Sequence, residues 1–438
     1  MAEISAFRAI RFDPSRVNLA DVIAPPYDVL SADDRAALYA RSPHNIVRLI
    51  LNREEPQDGP LDRYQRAAAF LQAELAAGTM TEDDSPALYE YVQTFPHPLD
   101  PAQQVSRTAL FVALRLQSYA DGVVLPHEET HPKAKVDRLN LMRATGANPE
   151  PIYGLFEDPD QAVAARLRQD DAAREPILHA AVPFGPGIEE HTVRRHHGPT
   201  LVREIADFFS RRRIWIADGH HRYETALNYR SEMQASAAAE GLQPWDYLLI
   251  GLSAFEDPGI VVLPTHRLVK GVSDERMEAL ATQLERSFRL QTLAVDAALD
   301  WIREEIPGET RLVIVLADRA YALTLRDPAA ADAAMGPEHC DAWKRLAVSV
   351  LQALVLDRSL GISPAALAHT PDVAYTRDVS EAVERVRSGE FQLSCLLQNP
   401  TVEEVRAVAA AGDKMPQKST YFYPKLWSGL VLRSLTRW

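Results

Sequence analysis

The residues whose types are best suited to binding or catalysis form the segment IWIADGHHRYETAL, positions 214–227. Ile214–Ala217 predicts a short buried strand, and the polar residues after it predict a helix that begins near His220. The N-terminal end of a helix favours anions, and polar side chains there add donors that suit phosphate oxygens. The predicted nucleotide- and phosphate-binding residues are Gly219, His220, His221 and Arg222.

The carboxylate of Asp218 stands at the end of that predicted strand, directly before the helix. There it could bind a metal ion, orient a substrate hydroxyl or cap the helix, and we predict it to be a catalytic residue and a metal ligand. The competing interpretation is a simple helix cap followed by solvated histidines. A cluster of three polar residues at a helix start, directly after an apolar strand, favours the functional interpretation.

A second segment, residues 125–156, contains HEETH, which matches the zinc signature H-E-x-x-H. That signature needs His127 and His131 one turn apart on a regular helix, and Pro132 biases the residue before it away from helical backbone. A zinc hydrolase is therefore a weaker alternative, and Glu128 is instead a candidate catalytic carboxylate. The following basic residues predict a phosphate clamp, or alternatively a solvated helix face: Lys133, Lys135 and Arg138.

Two further segments place charged groups beside rigid backbone or aromatic residues. Pro25–Pro26 fixes an extended backbone before Asp28, which makes Asp28 another candidate catalytic residue, although an Asx turn would serve structure alone. Residues 411–430 are basic, hydroxylic and aromatic together, so this segment could close over a nucleotide or could pack between domains. Its predicted ligand-binding residues are Lys418, Ser419 and Thr420.

Strand-like runs and amphipathic stretches mix without a regular βα alternation, which predicts an α+β fold with mixed sheets. A change of composition after Ser273 suggests two domains, 1–270 for phosphate or nucleotide binding and 271–438 as an additional C-terminal α/β region. The expected elements include a strand at Ile46–Leu51, a helix at Leu61–Ala77, antiparallel strands at Ala87–Phe95 and Ser106–Leu116, and helices at Asp158–Arg174 and Asp341–Leu360.

The composition excludes several classes of protein. The 438 residues carry 47 basic and 61 acidic side chains, and the resulting charge of −14 argues against a nucleic-acid partner because phosphate contacts dominate that affinity. Two cysteines, Cys340 and Cys395, are too few for a disulfide framework. No long apolar run and no apolar leader is visible, so we expect a cytoplasmic protein with no membrane partner. A homodimer is left open.

Six ordered motifs together resemble the bacterial and archaeal family named domain of unknown function 1015. The resemblance extends from Ala6 to about Leu430, which is nearly the whole chain. In chain order they are APPYDV, PHNIVRLIL, HEET with DRLNLMRAT, IADGHHRYETAL, LPTHRLV and GDKMPQKSTYFYPKL. This resemblance assigns no activity.

DGHHRYETA, residues 218–226, also resembles the phosphate-binding strand–turn–helix of the ParB/sulfiredoxin superfamily. Free serine kinases of that superfamily carry a D-G-H-x-R version of this motif. The matching positions are Asp218, Gly219, His220 and Arg222. The resemblance implies a ParB-like nucleotide-binding core, with ATP or ADP as the phosphate donor and with Mg²⁺ or the substrate hydroxyl held by Asp218. It does not supply the catalytic glutamate of those kinases, which lies outside the motif.

The sequence thus predicts a nucleotide-dependent phosphotransferase that acts on a small hydroxylated metabolite, with free serine as the first candidate. Such a reaction needs positioning, charge neutralisation and a carboxylate that accepts the hydroxyl proton. The rival class is a non-catalytic regulatory protein that binds a nucleotide or a phospho-ligand. A phosphoserine phosphatase and the zinc hydrolase are weaker alternatives, and the direction of transfer is left open.

Overall fold

The computed structural model describes residues 1–128, 132–185, 187–236, 240–304, 306–367 and 370–438. The strands in these residues are β1 Ile4–Ser5, β2 Ala9–Phe12, β3 Met80–Glu82, β4 Leu88–His97, β5 Asp100–Arg115, β6 Val124–Leu125, β7 Ala147–Asn148, β8 Ile152–Phe156, β9 Leu178–Phe184, β10 Gly187–His196, β11 Ile214–Asp218, β12 Tyr247–Ala254, β13 Val261–Leu263, β14 His266–Val269, β15 Phe288–Leu293, β16 Arg311–Val315, β17 Ala320–Leu325, β18 Val373–Thr376, β19 Leu393–Leu397, β20 Tyr421–Tyr423 and β21 Leu432–Ser434.

The helices in the same residues vary from single turns to more than four turns. They are α1 Leu19–Val22, α2 Ala32–Arg41, α3 Val47–Ile50, α4 Asp62–Ala77, α5 Pro132–Thr145, α6 Ala162–Arg168, α7 Pro199–Phe209, α8 His220–Ser236, α9 Asp274–Glu285, α10 Val295–Arg303, α11 Pro328–Met335, α12 Asp341–Arg345, α13 Ala347–Val350, α14 Pro364–Leu367, α15 Val379–Arg387 and α16 Val402–Ala410. A π-helix, Leu351–Ser359, follows α13 directly.

The chain divides into two compact units, neither of which is continuous in sequence. The first consists of Met1–Pro126, Thr130–Ile260 and Pro424–Trp438, and the second consists of His127–Glu129 and Val261–Tyr423. The C-terminal residues of the chain therefore belong to the unit that also contains the N-terminal residues. The functional division at residue 270 stays a prediction.

The first unit is built on a mixed sheet with the strand order β6-β11-β8-β12-β5-β4-β10-β9, to which β1 adds by pairing with β5. β11 runs antiparallel to β8, and β8 runs parallel to β12. All residues of β8 are buried, as expected for a central strand that is covered on both faces. Helix α7 supplies Phe209, whose ring meets that of Phe156 edge-on at 4.7 Å between centroids. A smaller sheet, β3-β2-β21-β7, completes this unit.

The second unit has its own sheet with the order β15-β17-β16-β19-β14-β18, and a separate pair of strands, β13 and β20. Strands β16 and β19 are buried along their whole length. Ile302 of α10 and Val383 of α15 join Val313 and Leu396 in one apolar core. Among the residues that the structure describes, no helix combines the length and the apolar character needed to cross a membrane.

The predicted class, a mixture of helices and several sheets, is confirmed. Helix α4 begins at Asp62 and ends before Gly78, whose φ of +70° is typical of a glycine that terminates a helix. Strands β4 and β5 form the predicted antiparallel pair. The predicted strand before Gly219 and the helix after it are also confirmed, as β11 and α8.

Other elements were predicted wrongly. Ile46–Leu51 was expected to be a strand, but Val47–Ile50 forms the short helix α3, because an apolar run this short fits a buried helix as well as a strand. The side chain of Asn45 accepts a hydrogen bond from the backbone N–H of Val47 at 2.9 Å and starts this turn. The helix expected over 341–360 is broken at Leu346, whose ψ of 133° is extended.

The turn after β12 provides a stability test. Gly259 packs against the backbone of β5, and an added Cβ would lie 2.1 Å from the carbonyl oxygen of Ser106. We expect Gly259→Ala to lower the free energy of unfolding by about 2 kcal/mol or more, because backbone atoms cannot move aside as a side chain can. Gly59→Ala is the control, since the nearest atom to its Cβ would be 3.5 Å away. Urea unfolding of both variants measures the difference, and equal stabilities would contradict the expected clash.

Candidate functional site

The junction between β11 and α8 is shaped by Gly219. Its φ is +92°, and an added Cβ would lie 2.7 Å from Cγ2 of Ile152 on the neighbouring strand. Both the backbone conformation and this contact therefore exclude a side chain at this position. The pairing of β11 with β8 shifts register between Ile216 and Asp218, and such a bulge re-aims the side chain that follows it. Asp218 is thereby placed directly before the first turn of α8.

Asp218 is held between two cations inside the first unit. Its Oδ1 forms an ion pair with the ammonium group of Lys425, and its Oδ2 accepts a hydrogen bond of 2.7 Å from Nη2 of Arg222. The three side chains are between 10% and 15% exposed. Burial alone would raise the pKa of Asp218, but Lys425 and Arg222 outweigh it and lower this pKa to about 2. The carboxylate is therefore ionised at neutral pH.

Arg222 connects the junction to the start of β8. Its Nη1 donates to the carbonyl oxygen of Pro151 at 2.6 Å. Burial would lower its pKa, but the carboxylates of Asp218, Glu150 and Asp28 raise it above the ordinary value. The guanidinium group is thus a buried cation that three carboxylates face.

Glu150 organises a second group of polar side chains next to Arg222. One carboxylate oxygen accepts from the backbone N–H of Tyr27 and from the hydroxyl of Ser428, both at 3.2 Å. The other lies 3.2 Å from Nη1 of Arg138. The guanidinium carbon of Arg138 also lies 3.8 Å from the ring centroid of Tyr27. Burial raises the pKa of Tyr27 to about 12, so its hydroxyl is neutral.

The residues Pro424–Ser428, which we call the C-terminal strap, serve both groups. Lys425 reaches Asp218, and Ser428 reaches Glu150. Trp427 is buried with its ring centroid 4.4 Å from that of His191. The backbone of Ser428 exchanges two hydrogen bonds with that of Ala24, at 2.8 and 3.2 Å. A short segment from the end of the chain thus joins the two carboxylates.

The structure brings several predicted site residues of the first unit into this region. Asp28 is exposed and lies in the field of Arg222. His220 is buried and contributes to the lowered pKa of Asp218, while Lys135 pairs with Glu224 on α8. His221 is half-buried at the start of α8. The side chain of Lys133 lies outside the described part of the chain.

The remaining predicted residues lie in the second unit. There Glu128 accepts a hydrogen bond of 2.8 Å from the backbone N–H of Lys418, and Nε2 of His127 lies 3.0 Å from the hydroxyl of Thr420. Lys418 has a φ of +58°, and Ser419 is buried. The structure therefore brings His127 and Glu128 together with the KST segment. The catalytic or binding roles assigned to these residues stay predictions.

The surroundings of Asp218 do not suit its predicted role as a metal ligand. Both of its oxygens are already engaged by cationic side chains. In the part of the chain that the structure describes, no three histidine, cysteine or acidic residues are arranged to hold a metal ion. His131, which the zinc alternative requires, lies outside the described residues. A resident Mg²⁺ or Zn²⁺ ion is therefore not supported by the described side chains.

Sequence reasoning missed two residues that complete the region. Glu150 lies in the unusual run Asn148-Pro149-Glu150-Pro151, where two prolines fix the backbone around it, and this signal could have singled it out. Lys425 lies within the basic segment 411–430, where it is one of several lysines. No periodicity could have paired it with Asp218, because the two are separated by 207 positions.

The fold and this region define an α+β protein with a buried, cation-flanked aspartate at a strand–glycine–helix junction. The chain belongs to the family described as Protein of unknown function (DUF1015), whose model matches residues 4–349. The family resemblance expected from the motifs is thereby confirmed. The chain has no match among curated proteins.

Solved structures with a partial likeness have low similarity scores. A conserved hypothetical protein from Pyrococcus furiosus is 14% identical, with 73% of this chain and 92% of that chain covered and a TM-score of 0.34. A free serine kinase in complex with AMP is 15% identical, with 72% and 86% covered and a TM-score of 0.34. SbnI with a C-terminal truncation, from Staphylococcus aureus, is 11% identical, with 73% and 86% covered and a TM-score of 0.35. Scores this low carry no conclusion about this chain.

The ion pairs of Asp218 predict how stability depends on pH. Because the pKa of Asp218 is lowered, its contribution is present above its unfolded value of about 4 and is lost as the pH falls towards 2. We expect Asp218→Asn to lower the free energy of unfolding by about 3–5 kcal/mol at pH 7, since it leaves Lys425 and Arg222 without their carboxylate. The difference from the natural chain should shrink below pH 4.

Chemical unfolding of both chains at several pH values checks this expectation. Asp300→Asn is the control, because that carboxylate is 80% exposed and pairs with Arg303 on the same helix. Its substitution should change stability by less than about 0.5 kcal/mol. A loss for Asp218→Asn that stayed constant from pH 7 to pH 2 would show that the charge of Asp218 is not what stabilises the junction.

Proposed function

We propose that this protein is a nucleotide-dependent phosphotransferase for a small hydroxylated metabolite, with free serine as the first candidate. The observation that carries the proposal is the Asp218 carboxylate, buried between Arg222 and Lys425 at the N-terminal end of α8. Buried ionised groups with strongly shifted pKa values occur preferentially at functional sites. The strand–glycine–helix junction is also a geometry that suits nucleotide phosphates.

The cations of the region supply the charge that phosphoryl transfer requires. Arg222, Lys425 and Arg138 are all largely buried, and a buried cation interacts more strongly with a phosphate than an exposed one. The positive end of the α8 dipole acts in the same direction. Bound phosphate oxygens would share Lys425 and Arg222 with Asp218, which would keep both side chains in place.

Asp28 is the best candidate for the group that accepts the hydroxyl proton. It follows the rigid Pro25–Pro26 backbone and is exposed, and its negative charge interacts with the positive charge of Arg222. Glu150 is less suited to proton transfer, because donors from three different segments already occupy its oxygens. Under the proposal Glu150 orients Arg138 and the strap.

The predictions that concern other groups stay separate from this proposal. A donor of the ATP or ADP type is proposed from the phosphate-binding chemistry alone, and Mg²⁺ would arrive with the nucleotide, without a resident site. Glu128, Lys418, Ser419 and Thr420 are not needed for it. We also propose a cytoplasmic protein whose partners are small molecules and not nucleic acid.

The direct test is ³¹P NMR of the purified protein with Mg²⁺ and L-serine in the presence of ATP or ADP, and of phosphoserine with ADP for the reverse direction. New phosphoserine or nucleotide signals are expected in at least one mixture. Nucleotide binding with unchanged spectra would favour the regulatory, non-catalytic alternative. Unchanged spectra without nucleotide binding would contradict the proposal.

The contribution of Lys425 can be measured separately. We expect Lys425→Met to weaken nucleotide binding about tenfold or more, because it removes one charge-assisted hydrogen bond to phosphate. Arg433→Met is the matched control: Arg433 is a buried cation of the same unit that donates to the carbonyl oxygens of Tyr247 and Pro244. It should lower stability and leave affinity unchanged. Calorimetric titration of both variants distinguishes the two effects, and equal affinities would remove Lys425 from the phosphate site.

A further inference from the structure

A buried polar network lies under the C-terminal strap, on the sheet strands β4, β5 and β10. Gln93, Arg107 and Glu189 are each at most 1% exposed. Arg107 donates from Nη2 to the side-chain oxygen of Gln93 at 2.5 Å, and Gln93 donates from Nε2 to Glu189 at 2.9 Å. A neutral amide thus stands between a buried cation and a buried carboxylate.

The same two donors also hold the backbone of the strap. Nη2 of Arg107 donates to the carbonyl oxygen of Pro424 at 2.7 Å, and Nε2 of Gln93 donates to the carbonyl oxygen of Lys425 at 3.2 Å. Two successive peptide groups are therefore fixed from below by side chains of the central sheet. The residue between them is the one whose ammonium group pairs with Asp218.

Only one orientation of the Gln93 amide matches the hydrogen-bond donors and acceptors around it. Its oxygen accepts from Arg107, and its nitrogen donates to Glu189 and to the Lys425 carbonyl. A flipped amide would set oxygen against two acceptors and nitrogen against a donor, which breaks all three of these hydrogen bonds. The network therefore defines one position for the strap backbone.

Contacts of the two residues that follow Lys425 support the same position. An added Cβ at Gly251 would lie 2.7 Å from Cδ1 of Leu426, so the strap packs directly on β12. Trp427 stacks at a tilt on His191, which accompanies Glu189 on β10. These contacts locate residues 426 and 427, and Glu189 also hydrogen-bonds with Trp427. Arg107 and Gln93 locate residues 424 and 425.

We propose that Gln93 is a positioning residue which, together with Arg107 and Glu189, fixes the backbone at Pro424–Lys425 and so holds the Lys425 ammonium group against Asp218. The inference deepens the proposed function, because Lys425 is there a phosphate-binding side chain. Gln93 itself contacts no substrate and acts only through the strap. Its effect on Lys425 does not require that the protein bind a nucleotide.

The test measures the position of Lys425 without reference to activity. Lysine acetylation by a small acylating reagent, followed by peptide mass spectrometry, gives the reactivity of Lys425 relative to that of the exposed Lys414 in the same molecule. In the natural chain Lys425 should react slowly, because its side chain is 11% exposed and ion-paired. Gln93→Met should raise its relative reactivity several-fold.

Two substitutions at Glu189 separate positioning from simple loss of stability. Burial raises the pKa of Glu189 to about 7, so Glu189→Gln is close to one of its natural protonation states and keeps an acceptor for Gln93. We expect Glu189→Gln to preserve the slow reaction of Lys425 and Glu189→Leu to accelerate it. If both variants accelerated it equally, the hydrogen bonds that Glu189 accepts from Gln93 and Trp427 would not be the cause.

Tyr89→Phe is the matched control on β4. The hydroxyl of Tyr89 is buried and donates to Asp83 at 2.7 Å, and these contacts do not involve the strap. This variant should unfold at a lower denaturant concentration and leave the reactivity of Lys425 unchanged. Unchanged reactivity in Gln93→Met would overturn the inference, as would an increase in Tyr89→Phe of the same size.

Nucleotide titration of the same proteins keeps the two proposals distinguishable. Faster acetylation of Lys425 in Gln93→Met, in a protein whose natural form binds no nucleotide, supports the positioning role and contradicts the proposed function. Nucleotide binding by the natural chain with equal Lys425 reactivity in both proteins supports the function and overturns the positioning role. Weaker nucleotide binding together with faster acetylation supports both.

Discussion

The ionised carboxylate of Asp218 is the constraint on which the described region depends. A buried charge is tolerated only when other groups compensate it, and here the compensation comes from one residue on the following helix and one from the end of the chain. The strap must therefore return to the first unit for the junction to be stable. Pro424–Trp438 belongs to that unit, where β21 also pairs with β2 and with β7.

Charges and hydrogen bonds, more than apolar packing, join the distant segments around this junction. Tyr27, Arg138 and Ser428 meet at Glu150, although they come from three separate parts of the chain. Buried ion pairs of this kind add little net stability compared with apolar contacts, but the loss of one partner is strongly destabilising. The arrangement thus specifies the positions of these side chains more than it strengthens the fold.

The sequence was informative where a signal is local. Gly78 marks the end of α4, and the change from apolar to polar residues at Asp218 marks the junction of β11 and α8. It was uninformative where tertiary contacts decide, as in the apolar run around α3 and the break at Leu346. The roles of Glu150 and Lys425 depend on partners far away in sequence, so composition and spacing could indicate that they are charged but not what they bind.

The two cations at Asp218 also have consequences for a bound anion. One carboxylate cannot neutralise both Lys425 and Arg222, and the other carboxylates that face Arg222 are the buried Glu150 and the exposed Asp28. Glu150 is shared with the strap and with Arg138, which also pairs with Asp137, and Asp28 lies at the surface. Water and salt screen that surface charge, and a phosphate group beside the N-terminus of α8 would compensate the cations more completely. Under the proposed function, binding of the nucleotide would therefore stabilise the strap and the junction together.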